Sequence, residues 1–508
     1  MDLPLQRNAH VRIGAPAVSV ATQLGCLLLI HLLLWTWVGV SSRSNFDTPG
    51  DMVEAYVWAQ GWQWGYYKHP PLSAWVVGLW FSVVPESHLG YSMLSAFNGV
   101  VGLLGLAYLS REFLPRHWVL LVVAAASLTP GVSSLGMRFN CNAILISTWP
   151  WAVALFVRLM QRGLPRDAVL CGLACALAML GKYYSGVLLL TLVCAALWLP
   201  AWRQRLRTPA VALAVVTFVL CMAPHALWLA AQAGGGPLQY AHAAAGQESA
   251  GESLMRAFTF LLAQWVFPVL AWVTFAAALV GPERARGVWQ AATAVLRPSG
   301  DVVWLLAVLP IVATMLGTVL TGARTASVWG LPISAGLALL AARRAHAAGA
   351  GLSLPRLWRA MGCIWLAVAV LSPAWWYSRA VLQTPAVAEP REELAHTMAA
   401  IWRSAYGGNL PWVSGTRVLA ASTAFFAAGQ PRYWSLWNAA VETPWVDTAD
   451  VLKQGALIVC NEVDAPCQAL AATWTTDRRT VPVAKHVYGV QFPASNYVLY
   501  LVPPAPDR

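Results

Sequence analysis

The segment Pro71–Pro85, PLSAWVVGLWFSVVP, is apolar but short, and whether it crosses a bilayer decides the side on which every later loop lies. One long apolar run, Val18–Val40, precedes it. The runs 91–110, 118–135, 143–157, 168–181, 183–200, 209–231, 256–281, 302–321, 327–342 and 358–377 follow it. Together these predict about eleven membrane spans, helical because lipid offers backbone groups no other partner. If Pro71–Pro85 does not cross, the N-terminal tail and the loops on its side carry 17 Lys and Arg. The opposite short loops then carry six: Arg43, Lys68, Arg138, Lys182, Arg256 and Arg324. If it crosses, the bias inverts for every later loop. The positive-inside rule therefore predicts an interfacial or re-entrant helix, a cytoplasmic N-terminus, and a first loop, 41–90, on the outer side with the C-terminal region.

Composition agrees with a polytopic membrane protein. Of 508 residues 58% are hydrophobic and 11% charged, with a mean hydropathy of +0.57, too much apolar surface for a soluble globule. The net charge of +12 is scattered through short loops and forms no stripe, which argues against nucleic acid as a partner. No small-residue cleavage site follows Val18–Val40, so it reads as a retained helix rather than a signal peptide. Cys171 and Cys175 have no His or acidic neighbour and read as small buried hydrophobes, not metal ligands. From about Arg379 the sequence turns mixed, with strand-like PWVSG, GALIVC and NYVLYLVP between helix-like runs such as EELAHTMAAIWRSA. This predicts an all-α membrane domain over 1–379 and a small α/β extracytoplasmic domain over 380–508. Cys460 and Cys467 would meet oxidising conditions there, which permits a local disulfide. No internal repeat or inverted pair of broken helices is visible, which weakens a transporter reading.

The chemistry gathers in the outer loop. In Glu54–Trp75, EAYVWAQGWQWGYYKHPPLSAW, the rings of Tyr56, Trp58, Trp62, Trp64, Tyr66, Tyr67 and Trp75 fit an interfacial belt, with some open to stacking on a sugar. Upstream, Thr48-Pro49-Gly50-Asp51 predicts a helix start with a Thr48 N-cap, Pro49 first in the helix and Asp51 closing a capping box. A helix running to about Gln63 places Asp51 and Glu54 one turn apart on one face. Two readings stay open for that pair: stabilisation of the helix end, or acid–base chemistry. Lys68 and His69 precede the stiff Pro70-Pro71 and bring cationic groups to the acids. Arg138 and Asn142 in MRFNCN, and Lys182 with Tyr183 in GKYY, are further outer-face candidates for anion binding, against anchoring as the alternative. His225, Tyr240 and Arg324 fit packing or anchoring better.

Glu54-Ala55-Tyr56, Trp58, Gly65-Tyr66-Tyr67-Lys68-His69-Pro70-Pro71-Leu72 and Trp75 resemble a family pattern, DEAYYW followed at the same separation by GYYDHPPL. The pattern is that of the GT-C class of polyprenyl-phosphate-sugar-dependent glycosyltransferases, which includes relatives of protein O-mannosyltransferases and of lipid A aminoarabinose transferases. Weaker likeness lies in Asn142–Trp149 and Gly181-Lys182-Tyr183. The family's Asp positions fall here on Val53, Lys68 and Asn142, and Asp51 stands one turn before Glu54 instead.

The resemblance implies an inverting transfer of a sugar from an undecaprenyl-phosphate donor to a hydroxyl acceptor on a lipid, glycan or protein, at the periplasmic face of a bacterial inner membrane. It implies Asp51 or Glu54 as the base, and Lys68, His69, Arg138, Asn142, Lys182, Tyr183, Tyr66 and Tyr67 as substrate or phosphate contacts. No metal ligand set is assigned. Lys68 in place of an acid removes one ligand, and a divalent cation near Asp51 and Glu54 stays open. The alternative is a non-catalytic or transport protein for polyprenyl-linked sugars.

Overall fold

The computed structural model describes residues 18–47, 49–232, 236–244, 246 and 248–505. Among them seven helices are long and apolar enough to cross a membrane: Val20–Ser41 (α1), His88–Ser110, Ile144–Arg162, Pro209–Ala231, Ala250–Ala278, Val302–Thr321 and Leu354–Val381. Between α1 and His88 lie two short helices, Asp51–Ala59 (α2) and Leu72–Phe81 (α3). Of the remaining apolar runs, 168–181 lies within the helix Pro165–Gly181, while the others form helices shorter than the sequence suggests. The run 118–135 is helical only over Arg116–Ser127, because Pro130 and Gly131 turn the chain and Pro130 O accepts from Leu135 N at 2.8 Å.

At ten residues α3 is about 15 Å long, roughly half the hydrocarbon thickness of a bilayer. It does not have the length to cross. Ala74 and Val77 are fully buried against the protein while Leu79 is exposed, and the Trp75 and Trp80 indoles donate to the carbonyls of Gln63 and Gly90, each at 2.9 Å.

Helix α4 (His88–Ser110) lies against Ile144–Arg162. Asn98 in its middle donates to Ala143 O at 2.8 Å and accepts from Ser147 Oγ at 2.6 Å. Gly102 allows this approach, because a Cβ there would sit 2.3 Å from Ile146 O.

After residue 390 the chain builds a five-stranded mixed sheet in the order Arg432–Tyr433, Trp412–Gly415, Ala456–Asn461, Ser495–Val502, Arg478–Val483. The first three strands run parallel, with Val413 opposite both Tyr433 and Leu457. Ser495–Val502 pairs antiparallel with the strands on both sides, Leu457 facing Leu501. Parallel pairing needs crossovers, and Arg417–Phe426 supplies one of them. Cys460 and Cys467 are joined by a disulfide.

The sheet region is fastened onto the loop between α1 and α4. Gln60, just past α2, donates its amide to Pro431 O at 3.3 Å and accepts from Tyr433 N at 3.0 Å, so one side chain serves the edge strand twice. Phe46 stacks on Phe426 at 5.3 Å and meets Phe425 and Tyr91 edge-on or tilted at 5.2 and 5.0 Å. Arg391 Nη1 donates to Asp47 O at 2.8 Å, and Lys485 Nζ to Ser44 O at 3.2 Å. The aromatic cluster is the apolar part of this seam. Phe46→Ala should therefore cost about 3–5 kcal/mol and lower the unfolding midpoint in detergent; an unchanged midpoint would show that the cluster does not couple the two parts.

Candidate active site

Helix α2 carries the acids, but its start differs from the expected one. The helix begins at Asp51, after Gly50 in the left-handed region at φ 83°, and ends at Ala59 rather than near Gln63. The expected cap, Thr48, lies outside the described residues. The capping side chain is Asp47, whose Oδ2 accepts from Asp51 N at 2.8 Å and Oδ1 from Met52 N at 3.3 Å. A carboxylate taking two free amides at once does more for the helix end than one hydroxyl. Asp51 is thus capped, not a capping-box partner, and its carboxylate is left for other work.

Asp51 and Glu54 both line a cavity of about 420 Å³ between α2 and the C-terminal sheet, within the usual range for small-ligand sites. Glu54 Oε2 meets Lys68 Nζ at 2.8 Å, and its Oε1 accepts from Tyr67 OH at 3.0 Å. Asp51 Oδ2 accepts from Asn140 Nδ2 at 3.1 Å, and Asn140 Oδ1 in turn accepts from the amides of Asn142 and Ala143. Among the described residues nothing donates to Asp51 Oδ1.

Burial pushes the Glu54 carboxyl up, and the Lys68 charge and hydrogen bond pull it only part of the way back. Burial opposes the Lys68 charge, yet Glu54 outweighs it and holds the ammonium above its ordinary value. His69 is held well below its ordinary value, first by burial and then by the Lys182 and Lys68 charges, so its imidazole is neutral near pH 7.

Lys182 is buried where Pro165–Gly181 ends in extended backbone. Its Nζ donates to Asn142 Oδ1 at 2.5 Å and sits 4.4 Å from the Trp329 ring centroid. Tyr183 OH pairs with His225 Nε2 at 3.0 Å, and His225 Nδ1 with Trp64 O at 2.6 Å. His225 thus positions the tyrosine.

Of the candidates, His69, Asn142, Lys182 and Tyr183 do not line the cavity of the acids, and Tyr66 and Arg138 fall elsewhere altogether. Tyr66 is fully buried, stacked on Trp58 at 5.0 Å, and is not among the residues lining the cavity of the acids. Arg138 is exposed and lines a different cavity, on the far side of Asp47. The aromatic belt also resolves differently. Tyr56, Trp58 and Tyr66 form the core of the loop, whereas Trp62 and Trp64 are exposed, because the sheet region covers the former.

Sequence reading missed the other half of the cavity, which comes from the C-terminal region. Arg417 pairs with Glu442, and Tyr433, Trp437, Thr416 and Asp464 complete the wall. One signal was available: Ser414-Gly415-Thr416-Arg417 is a strand-to-helix turn. A divalent cation finds no ready ligand set here. Glu54 is bound by an ammonium and a phenol, and no three His, Cys, Asp or Glu among the described residues gather to hold a metal.

A family model described as dolichyl-phosphate-mannose-protein mannosyltransferase matches residues 68–228. Lipid A galacturonosyltransferase RgtD of Rhizobium johnstonii is 25% identical over 261 residues, 49% of this chain and 54% of that one. The chain thus spans about half the length of that curated relative. The crystal structure of ArnT from Cupriavidus metallidurans bound to undecaprenyl phosphate superposes with a TM-score of 0.61 at 15% identity, over 96% of this chain and all of that one. Its apo form gives 0.59 at 16% identity over the same shares. The fold is therefore the one these ArnT structures have, in a multi-pass membrane protein. The resemblance to GT-C polyprenyl-phosphate-sugar-dependent glycosyltransferases, drawn from Glu54–Trp75, is borne out by the three matches together.

Because Lys68 offsets burial at Glu54, Lys68→Met should raise the Glu54 carboxyl by about a further 1–3 pH units, with Lys68→Arg near wild type. Infrared titration of the carboxyl band, assigned by its loss in Glu54→Gln, reads the shift. A band that does not move would show that the pair does not set the ionisation of Glu54.

Proposed function

We propose that the protein is an inverting glycosyltransferase that moves a sugar from a polyprenyl phosphate, of the undecaprenyl type, to a hydroxyl acceptor at the periplasmic face of an inner membrane. The observation that carries this reading is one cavity lined by both Asp51 and Glu54, with Lys68 and Tyr67 holding Glu54 on its wall.

The acceptor hydroxyl attacks the anomeric carbon from the face opposite the phosphate. As the new C–O bond forms, the bond to the phosphate oxygen breaks and the hydroxyl proton passes to a carboxylate. Asp51 is the base, because it lines the cavity and Asn140 holds one of its oxygens while the other accepts no hydrogen bond among the described residues. Glu54, held by Lys68 and Tyr67, supplies the negative charge that an oxocarbenium-like sugar needs. Lys182, steadied by Asn142, and neutral His69 donate to the departing phosphate. Tyr183 and Tyr67 hold the sugar's surroundings in shape. Arg417, Trp437 and Glu442 face the acceptor. The domain division at about residue 380, the count of about eleven spans and the cytoplasmic N-terminus complete this reading.

The test is release of free polyprenyl phosphate from short-chain polyprenyl-phosphate sugars by purified protein. Asp51→Asn and Glu54→Gln should each lose at least about 100-fold in kcat while remaining folded, and Lys182→Ala should raise KM for the donor. Full turnover in both acid variants would overturn the mechanism. An alkaline phosphatase fused after residue 508 should be active; an inactive fusion, with a C-terminal fluorescent protein that lights up, would invert the topology.

A further inference from the structure

Two lysines stand near the acids of α2, and the fold treats them in opposite ways. Lys68 is paired with Glu54 at 2.8 Å, so its charge is cancelled within the protein. Lys182 is buried, yet it makes no ion pair among the described residues. Asp51 acts on it only from a distance, and the Lys68 charge opposes that effect. A buried ammonium without a counter-ion is costly to hold, and one held in place by other means points to an anionic ligand.

Both groups that hold Lys182 are neutral. Asn142 Oδ1 accepts from its Nζ at 2.5 Å, and the ammonium lies over the Trp329 ring, 4.4 Å from the centroid. Each partner is itself fixed. Asn140 Oδ1 accepts from the amides of Asn142 and Ala143 at 2.9 and 3.1 Å, and its Nδ2 donates to Asp51 at 3.1 Å. One short turn thus links the acid to the ammonium. Trp329 belongs to the turn Ser327–Gly330, between the helices Val302–Thr321 and Ile333–Ala347. Gly330 lets that turn sit close to Gln264, whose Nε2 would be 2.3 Å from a Cβ there. The indole packs on Tyr184 at 5.4 Å, and Tyr184 stacks on Trp149 at 5.6 Å and pairs its hydroxyl with Thr314 Oγ1 at 2.7 Å. An amide oxygen and a π face attract a cation without neutralising it.

We propose that Asn142 and Trp329 form an uncharged cradle that positions the Lys182 ammonium and leaves its charge for the phosphate of a polyprenyl phosphate. Both are positioning residues, acting through Lys182. This rests on the transferase reading, in which Lys182 meets the departing phosphate, and adds that the site depends on a neutral side chain at position 142. With an acid there the ammonium would be neutralised, as Lys68 is by Glu54, and its attraction for phosphate would fall.

The experiment needs no turnover. Native mass spectrometry of the purified full chain reads binding of two probes, short-chain polyprenyl phosphate and the polyprenol of the same length, and the unfolding midpoint in detergent is read beside it. Asn142→Asp should weaken polyprenyl phosphate at least about tenfold while the midpoint holds or rises, because a carboxylate satisfies the buried ammonium. A purely structural asparagine would not move affinity and midpoint apart in this way. Trp329→Leu should weaken the same probe about tenfold, and Trp329→Phe, which keeps a π face, by less. Polyprenol binding should stay as in wild type throughout. Unchanged or tighter phosphate binding in Asn142→Asp overturns the proposal, and so does a midpoint that falls together with the affinity. Equal affinities in Trp329→Leu and Trp329→Phe, or polyprenol weakened alongside the phosphate, overturn it as well. Lys182→Ala separates the cradle from the reading beneath it. If that variant binds polyprenyl phosphate as wild type does, the phosphate role of Lys182 fails and the cradle with it; if it alone weakens binding, only the cradle fails.

Discussion

The pair of Glu54 and Lys68, 2.8 Å apart at the seam between the membrane helices and the C-terminal sheet, is the constraint around which the site is arranged. A carboxylate at such a place is tolerable only with its oxygens satisfied. Lys68 takes one and the Tyr67 hydroxyl the other. This fixes the GYYKHPP turn against α2, and with it His69 and the close approach to Lys182 follow. Lys68 stands where the pattern that this block resembles, GYYDHPPL, has an acid, and here it is the counter-ion of Glu54. Asp51 lines the same cavity and has one oxygen that accepts no hydrogen bond among the described residues.

The seam has a second consequence. The C-terminal region does not sit beside the site as a passive cover; it supplies half of the wall through Arg417, Glu442, Tyr433 and Trp437. Its placement depends on small clips and one aromatic cluster: Gln60 on the edge strand, Arg391 on the carbonyl of Asp47, and Phe46 among the rings of Tyr91, Phe425 and Phe426. Gly50 belongs to the same seam, since a Cβ there would meet Val418 at 2.8 Å, and its left-handed backbone lets Asp47 reach back to the first amides of α2. Helix start, cavity wall and domain contact are therefore one piece of geometry.

The amphipathic second cavity follows from the way α1 ends. Serines and an arginine succeed one another directly after the apolar run, and the turn at Pro130–Arg138 adds a second arginine to the lining of the same cavity. The arrangement leaves donors unpaired that a helix end exposed to water would have satisfied.

The sequence by itself determined the membrane class, the short helix that does not cross, and the block from Glu54 to Trp75 that carries the acids and the cation. These are local: apolar length, charge bias and side chains within a few turns of one another. It gave the wrong first residues for α2, because a capping Asp four residues before Asp51 and a left-handed Gly50 carry no periodic signal. It also placed Tyr66 and Arg138 with the phosphate ligands, although the one is sealed in the loop core and the other turns to a separate cavity. Only the tertiary structure decided which side chains meet, since the clip between Gln60 and Pro431 joins positions 371 residues apart and no local pattern records such a contact.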